Sequence, residues 1–196
     1  MSVEEIDLGI DYKAIARKVI DNRANWIDRS NLFYTFGAAA YIDNCMEYFV
    51  YLKRSNKILK KEFGDLIDKL CDHFSAKTHP EIALPGFHIF DYRGNGIDAS
   101  IHLDTPYKKL PIYSEDFENP RSFTILIQKP NCGAGLNVWG EDGVKNCVDY
   151  KLGNMYTHSC GLLHQIANTG NMEKNELRIT IQGHLITIKG ETYIYF

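Results

Sequence analysis

The chain changes character near His79 and Pro80, and this change limits what the sequence can fold into. All six prolines lie at or after residue 80, and from there short runs of β-branched and aromatic residues alternate with Gly, Asn, Asp and Pro. Such short runs between turn-forming residues are typical of an all-β sandwich or barrel. We predict about nine strands, at residues 86–93, 97–103, 122–128, 135–139, 148–151, 155–158, 162–167, 177–187 and 191–196. This number of short strands favours a jelly roll.

The first part of the chain has a helical pattern instead. Residues from about 11 to 75 contain no proline and many long-chain side chains. Between residues 44 and 74, apolar residues recur at spacings of three and four, which places them on one face of a helix. We predict two helices here, broken near Ser55 and Asn56. The expected fold is therefore mixed but mainly β, in a single domain of 196 residues. Residues 1–79 would form helical support for a catalytic core of residues 80–196.

Composition excludes several classes of partner. The 22 Lys and Arg residues against 25 Asp and Glu residues give a net charge of −3, so no basic field favours nucleic acid or an anionic membrane surface. The sequence contains no run of 18 consecutive apolar residues, so we expect no membrane span. Its first residues do not resemble a secretory signal. The five cysteines are odd in number, irregular in spacing and lack a CxxC pair. Reduced thiols in the cytoplasm are therefore the favoured interpretation.

The first candidate site is the pair His102 and Asp104, at the end of the predicted strand 97–103. Residues two apart on a strand point to the same face, so both side chains can reach one metal ion. About one His-x-acid pair is expected by chance in this composition, and the other pair lies at the Pro80 junction ahead of the strands. A further imidazole would complete a two-His-one-carboxylate triad, which leaves open positions on Fe(II).

The residues downstream strengthen this candidate. His164 lies in a strand-like run 60 residues after Asp104, and Arg178 follows it by 14 residues. His158 is an alternative third ligand, but its spacing to Arg178 is longer. Arg178 and Thr180 share one face of the next predicted strand, and a buried arginine there requires an anionic partner. A carboxylate held by the guanidinium, with the threonine hydroxyl as a further donor, would meet that requirement.

The order His102-x-Asp104, His164 and Arg178-x-Thr180 resembles the Fe(II)/2-oxoglutarate-dependent dioxygenase superfamily, in its prolyl-hydroxylase-like branch. Two flanking segments agree with that branch: Tyr92-Arg93-Gly94 before the first motif, and the Gly-Leu-Asn-Val-Trp run at residues 135–139. Gly153 is followed by Asn where the branch often has Asp. The resemblance covers about residues 80–196, and it implies a double-stranded β-helix, which is a jelly roll, with helices packed on one side.

The resemblance also implies roles for single residues. His102, Asp104 and His164 would hold Fe(II) at the catalytic centre, where dioxygen would also bind. Arg178 would bind the distal carboxylate of 2-oxoglutarate with help from Thr180, and Tyr92 could donate a hydrogen bond to this cosubstrate. Because related halogenases lack the carboxylate ligand, Asp104 points to hydroxylation or desaturation. The expected reaction modifies a C–H bond of a small molecule, such as an amino acid or peptide-like metabolite, and converts 2-oxoglutarate to succinate.

Several alternatives remain open at this point. The substrate could be a side chain in a protein or peptide, or the chain could be a non-catalytic jelly-roll binding protein. A cupin-type metal enzyme that needs no 2-oxoglutarate is a third possibility, against which Arg178 argues. We further predict that residues 105–121 form a lid or substrate loop, because the segment is long and without periodicity. His184 shares the face of Arg178 and could contact the site or be a satisfied polar residue, and His88 is expected to be structural or solvent-facing.

Overall fold

The computed structural model describes residues 3–91, 99–113, 115–131, 133–168, 170 and 172–196. These residues contain helices α1 (Tyr12–Asp21) and α2 (Cys45–Phe74) and short 3-10 turns at Arg23–Asn25 and Pro106–Lys109. The strands are β1 (Glu4–Asp7), β2 (Ile27–Asp28), β3 (Phe33–Phe36), β4 (Gly86–Phe90), β5 (Phe117–Gln128), β6 (Leu136–Trp139), β7 (Lys145–Val148), β8 (Asn154–Ser159), β9 (His164–Ile166), β10 (Arg178–Ile188) and β11 (Glu191–Tyr195).

The strands form two antiparallel sheets. The main sheet has the order β1-β8-β5-β10-β4-β3-β2, and β11 also pairs with β10. The smaller sheet has the order β7-β6-β9. The predicted class, mixed but mainly β with the jelly-roll fold and N-terminal helices, is therefore confirmed, although the sheets do not close into a barrel in the described part of the chain. The single domain with its division at residue 80 stays a prediction.

Helix α2 spans 30 residues and consists of two helical segments that meet at a kink at Phe63, so two helical segments are present as predicted, but the predicted position of the break near Ser55 and Asn56 is wrong. Asn44 caps the start of the helix: its side chain accepts a hydrogen bond from the Glu47 amide while the Glu47 carboxylate accepts from the Asn44 amide. The Asn56 side chain bonds to the backbone of Ile82 and Leu84, so it fixes the following segment and leaves the helix intact. Only Phe63 departs from helical backbone angles inside α2.

The first part of the chain is less helical than its pattern predicts. Strands β2 and β3 lie between the two helices, and β1 precedes α1. Strand β3 is a run of β-forming residues, Phe-Tyr-Thr-Phe, and it pairs along its length with β4. Pairing with a strand about fifty residues away stabilises β3 in a way that a local pattern does not reveal.

Most predicted strands are present with shifted ends, and two are corrected. Of the predicted strand 97–103, residues 97 and 98 lie outside the described residues, and 99–103 form no strand apart from one bridge between His102 and His164. The strand predicted at 148–151 lies earlier, at Lys145–Val148. Strand β5 begins at Phe117, so the predicted loop 105–121 ends sooner than expected.

Alternation along β10 separates the core from the site. Ile179, Ile181 and Leu185 face the core, where they pack with the apolar face of α2 through residues such as Phe63 and Leu70. Arg178, Thr180, Gln182 and His184 point to the opposite face, towards the smaller sheet. None of the helices in the described ranges combines the length and the apolar character needed to cross a membrane.

Candidate metal centre

A cavity of about 360 Å³ opens between the two sheets. Its walls come from the polar face of β10, from β4 and β5 beside it, and from β9 of the smaller sheet. The segment after Asp104 contributes Thr105, Pro106 and Lys109 to the wall. A concave site with a few convergent polar groups is the usual form of a small-molecule site.

Three potential metal ligands meet in this cavity. The ligand atoms of His102, Asp104 and His164 lie within 4.8 Å of one another. Asp104 Oδ1 is 3.7 Å from His102 Nε2, and Asp104 Oδ2 is 3.6 Å from His164 Nε2. Reciprocal backbone hydrogen bonds of 2.9 and 3.0 Å join residues 102 and 164 and set the two imidazoles side by side. The structure thus brings together the three residues that the sequence selected.

Both imidazoles have a fixed orientation. The Nδ1 atoms of His102 and His164 each lie 2.8 Å from a backbone carbonyl, of Ser100 and Leu162 respectively. A carbonyl can only accept a hydrogen bond, so Nδ1 carries the proton and Nε2 presents its lone pair towards Asp104. Burial lowers the pKa of His164, which favours the neutral form that can bind a metal.

Asp104 is charged although only 12% of its side chain is exposed. Burial raises its pKa, yet the facing imidazoles of His184 and His164 and the Ser122 hydroxyl together outweigh burial, so that the pKa of Asp104 lies below its usual value. The Ser122 hydroxyl donates to Asp104 Oδ2 over 2.5 Å. Two imidazole nitrogens and one ionised carboxylate, without a thiolate, form a donor set that suits Fe(II) and leaves positions open for other ligands.

Arg178 lies in the same cavity as an unpaired charge. Its side chain is 2% exposed, one terminal nitrogen lies 3.4 Å from the Ala134 carbonyl, and Nε has no hydrogen-bond partner in the described part of the chain. No carboxylate in that part forms an ion pair with it. Burial lowers the pKa of Arg178 only to about 10, so the group stays charged at neutral pH. A buried cation of this kind fits an anionic ligand.

Of the other two residues predicted to contact the cosubstrate, the structure describes Thr180 but not Tyr92. The Thr180 hydroxyl is fully buried without a partner among the described residues, next to Arg178 on the same face of β10. Thr180 itself does not line the cavity. Tyr92 lies outside the described residues.

Three further histidines, His158, His184 and His88, line the cavity without belonging to the three-ligand cluster. His158 lines the cavity with its ring centroid 4.8 Å from that of His164, but it is not part of the three-ligand cluster. His184 also lines the cavity, and its Nδ1 lies 2.9 Å from the Ser122 hydroxyl. His88 is half-buried in the cavity wall and bonded to the Tyr41 hydroxyl, which agrees with the structural alternative for this residue. Burial lowers the pKa of His88 to about 3.

Sequence reasoning missed Ser122 and Tyr41 as residues of this site. Ser122 stands opposite His184 on the neighbouring strand, and the alternation of β5 could have placed it on the cavity face. Tyr41 lies in the irregular segment before α2, where no pattern indicates which way a side chain points.

Comparison with known proteins finds the same fold in solved structures. No family model and no curated protein matches the chain. An N-substituted L-amino acid dioxygenase from Burkholderia ambifaria AMMD matches with a TM-score of 0.57 and 15% identity over 76% of this chain and 69% of that one. A 2OG-Fe(II) oxygenase family oxidoreductase from Burkholderia pseudomallei matches with a TM-score of 0.53 and 12% identity, over 94% and 84% of the two chains. The alpha-ketoglutarate-dependent epimerase SnoN from nogalamycin biosynthesis matches with a TM-score of 0.51 and 9% identity, over 94% and 77%.

These likenesses concern the fold. The chain has the fold found in 2OG-Fe(II) oxygenases, as the sequence resemblance implied.

Proposed function

We propose that this chain is an Fe(II)- and 2-oxoglutarate-dependent oxygenase. In this proposal His102, Asp104 and His164 hold Fe(II), and Arg178 binds the distal carboxylate of 2-oxoglutarate. One observation carries it: a three-ligand cluster of the right donor type and an unpaired buried arginine open into the same cavity. A non-catalytic binding protein would have no need to keep both features.

The bound iron would supply the activation of dioxygen that is coupled to decarboxylation of 2-oxoglutarate. The chain orients the groups around it. Backbone carbonyls hold both imidazoles with Nε2 towards the centre, and the Ser122 hydroxyl holds the Asp104 carboxylate. Arg178 attracts the dicarboxylate into the cavity, where the rings of Phe33 and Phe90 form the apolar wall beside the guanidinium. Thr180 and Tyr92 remain proposed helpers for the cosubstrate.

The cavity favours a small substrate. Its volume of about 360 Å³ must hold the cosubstrate as well as the group that reacts. Lys109 lines the cavity from the segment after Asp104, where its amine donates to the Tyr41 carbonyl over 3.1 Å. A cation in this position suits the carboxylate of an amino acid or a peptide-like metabolite, and one structure of the same fold is a dioxygenase of N-substituted L-amino acids.

A peptide or protein side chain is the second candidate substrate, because the surface beside the ligands is apolar. Ile101, Leu103 and Leu163, the direct neighbours of His102 and His164, are 50%, 47% and 40% exposed. An apolar rim of this kind could contact a chain that extends out of the cavity. For either substrate we propose a cytoplasmic location, which accords with the free thiols of the four cysteines in the described residues.

Release of succinate tests the proposed function. Purified protein with Fe(II), 2-oxoglutarate and dioxygen is expected to release succinate, and a substrate should raise the rate above the uncoupled level. Free amino acids, N-substituted amino acids and short peptides form the panel, and each member is compared with its carboxyl-amidated form. Asp104→Ala should abolish release because it removes the anionic ligand. Equal release by wild type and Asp104→Ala would reject the proposed centre.

A further inference from the structure

A row of polar side chains crosses the main sheet behind Asp104. Strand register sets His184 of β10 opposite Ser122 of β5, and Ser122 opposite His158 of β8. Ser122 is 0% and His184 is 2% exposed. Polar groups this deeply buried cost free energy unless they are hydrogen-bonded, so their partners indicate what the row does.

The hydrogen bonds of this row have one possible direction. Ser122 Oγ lies 2.5 Å from Asp104 Oδ2 and 2.9 Å from His184 Nδ1. A carboxylate only accepts, so the serine uses its single proton on Asp104. The serine oxygen must then accept a hydrogen bond from Nδ1–H of His184. The chain of donors runs from His184 through Ser122 to Asp104.

Asp104 needs such support because its own backbone provides little. Among the described residues around it, only the bridge at His102 ties this segment to a strand, and residues 103–105 belong to no sheet. Ser122 and His184 instead lie on β5 and β10, which pair with each other along almost their whole lengths. The carboxylate is thus held by a side chain from the most extensively paired part of the fold.

We propose that Ser122 is a positioning residue for the Asp104 carboxylate, and that His184 positions the Ser122 hydroxyl. The proposal rests on the proposed function, because it assumes that Asp104 binds a metal. Neither Ser122 nor His184 is one of the three ligands. Outer partners of this kind orient the ligand and strengthen metal binding by about 10- to 100-fold.

Metal affinity measures this role without turnover. Apoprotein of the full chain is titrated with Mn(II), and free Mn(II) is followed by electron paramagnetic resonance. Ser122→Ala is expected to weaken Mn(II) binding by about 10- to 100-fold. Ser122→Thr keeps the hydroxyl and should bind within about threefold of wild type, and His184→Leu should weaken binding by less than Ser122→Ala.

Thr157→Val is the matched control. Its hydroxyl is buried in the neighbouring strand β8 and has no hydrogen-bond partner in the described residues, so its loss should leave Mn(II) affinity unchanged. Thermal unfolding of each apoprotein separates the two possible roles of the serine. A merely structural serine would lower the unfolding temperature of Ser122→Ala and leave its Mn(II) affinity at the wild-type value.

The outcomes distinguish this inference from the proposed function. Wild-type affinity in Ser122→Ala, or equally weak binding by Ser122→Ala and Ser122→Thr, would overturn the positioning role and leave the metal centre in place. If Ser122→Ala does not fold, His184→Leu provides the test, and wild-type Mn(II) affinity in that variant would overturn the positioning role. Absence of Mn(II) binding by the wild type, or unchanged binding after loss of His164, would overturn both proposals.

Discussion

Replacing Arg178 by Met should stabilise the free protein and weaken its binding of 2-oxoglutarate, two changes of opposite sign. Burial lowers the pKa of the guanidinium to about 10, which corresponds to about 3 kcal/mol of unfavourable burial at about 1.4 kcal/mol per pKa unit. Replacing buried ions by apolar side chains of similar volume often stabilises a protein by about 1–4 kcal/mol. We therefore expect the free energy of unfolding of the apoprotein to be unchanged or to rise within that range.

The affinity for 2-oxoglutarate should fall in the same variant. Loss of one partner from a buried, hydrogen-bonded charge pair costs about 2–5 kcal/mol, or roughly 30- to 4000-fold in dissociation constant. Isothermal titration calorimetry of the Mn(II)-loaded protein under nitrogen measures this change, and urea unfolding of the apoprotein measures the stability.

Arg29→Met is the matched control for the stability part. The Arg29 side chain is also buried, but it forms an ion pair with the buried carboxylate of Asp43, with one bond of 3.2 Å. Its removal leaves Asp43 without its charge partner and should destabilise the protein by about 3–5 kcal/mol. Arg178 would not be an unpaired anion-binding cation if Arg178→Met destabilised the apoprotein as much as Arg29→Met and bound 2-oxoglutarate with wild-type affinity.

Three further predictions concern the ligands, pH and the substrate. His164→Ala should lose stoichiometric Fe(II), measured by metal analysis after anaerobic loading, whereas His158→Ala should retain it; the reverse pattern would make His158 the ligand. Burial lowers the folded-state pKa of His88 to about 3, below roughly 6.5 in the unfolded chain, so the unfolded chain binds more protons in acid. This histidine alone should therefore cost about 2 kcal/mol of stability between pH 6.5 and 4.5. Denaturant unfolding should show a shallower loss in His88→Gln, and identical slopes would contradict the assignment. Lys109→Met should raise the KM for an anionic substrate and leave the 2-oxoglutarate affinity unchanged by calorimetry; an equal loss of both would place Lys109 at the cosubstrate.

The sequence predicted those parts of the fold that depend on local patterns. Period-two alternation located β10, with Arg178 on one face and Ile179 on the other, and most other strands near their true positions. The same approach failed for β3, which is stabilised by pairing with the distant β4. It also failed at Asn56, whose side chain bonds to a segment about 26 residues later and does not end the helix.

The candidate site also combines residues that a local pattern reveals with residues that only the pairing of distant strands reveals. His102, Asp104 and His164 could be selected because their spacing and strand positions carry a chemical pattern. Alternation could place Ser122 on one face of its strand, but the sequence does not show that Ser122 and His88 lie beside β10, because that depends on the register between distant strands. Ser122 and His88 belong to no motif, so the order and register of the strands are needed to show that they lie beside the cavity.

Anaerobic titration of the Fe(II)-loaded protein with 2-oxoglutarate is the sharpest test of an iron centre that binds this cosubstrate through Arg178. Chelation of iron by the 2-oxo acid produces a charge-transfer absorption band that can be followed optically. The proposed centre predicts a saturable band in the wild type, with saturation shifted to much higher concentration in Arg178→Met. No band in the wild type, or the same titration curve in both proteins, would contradict it.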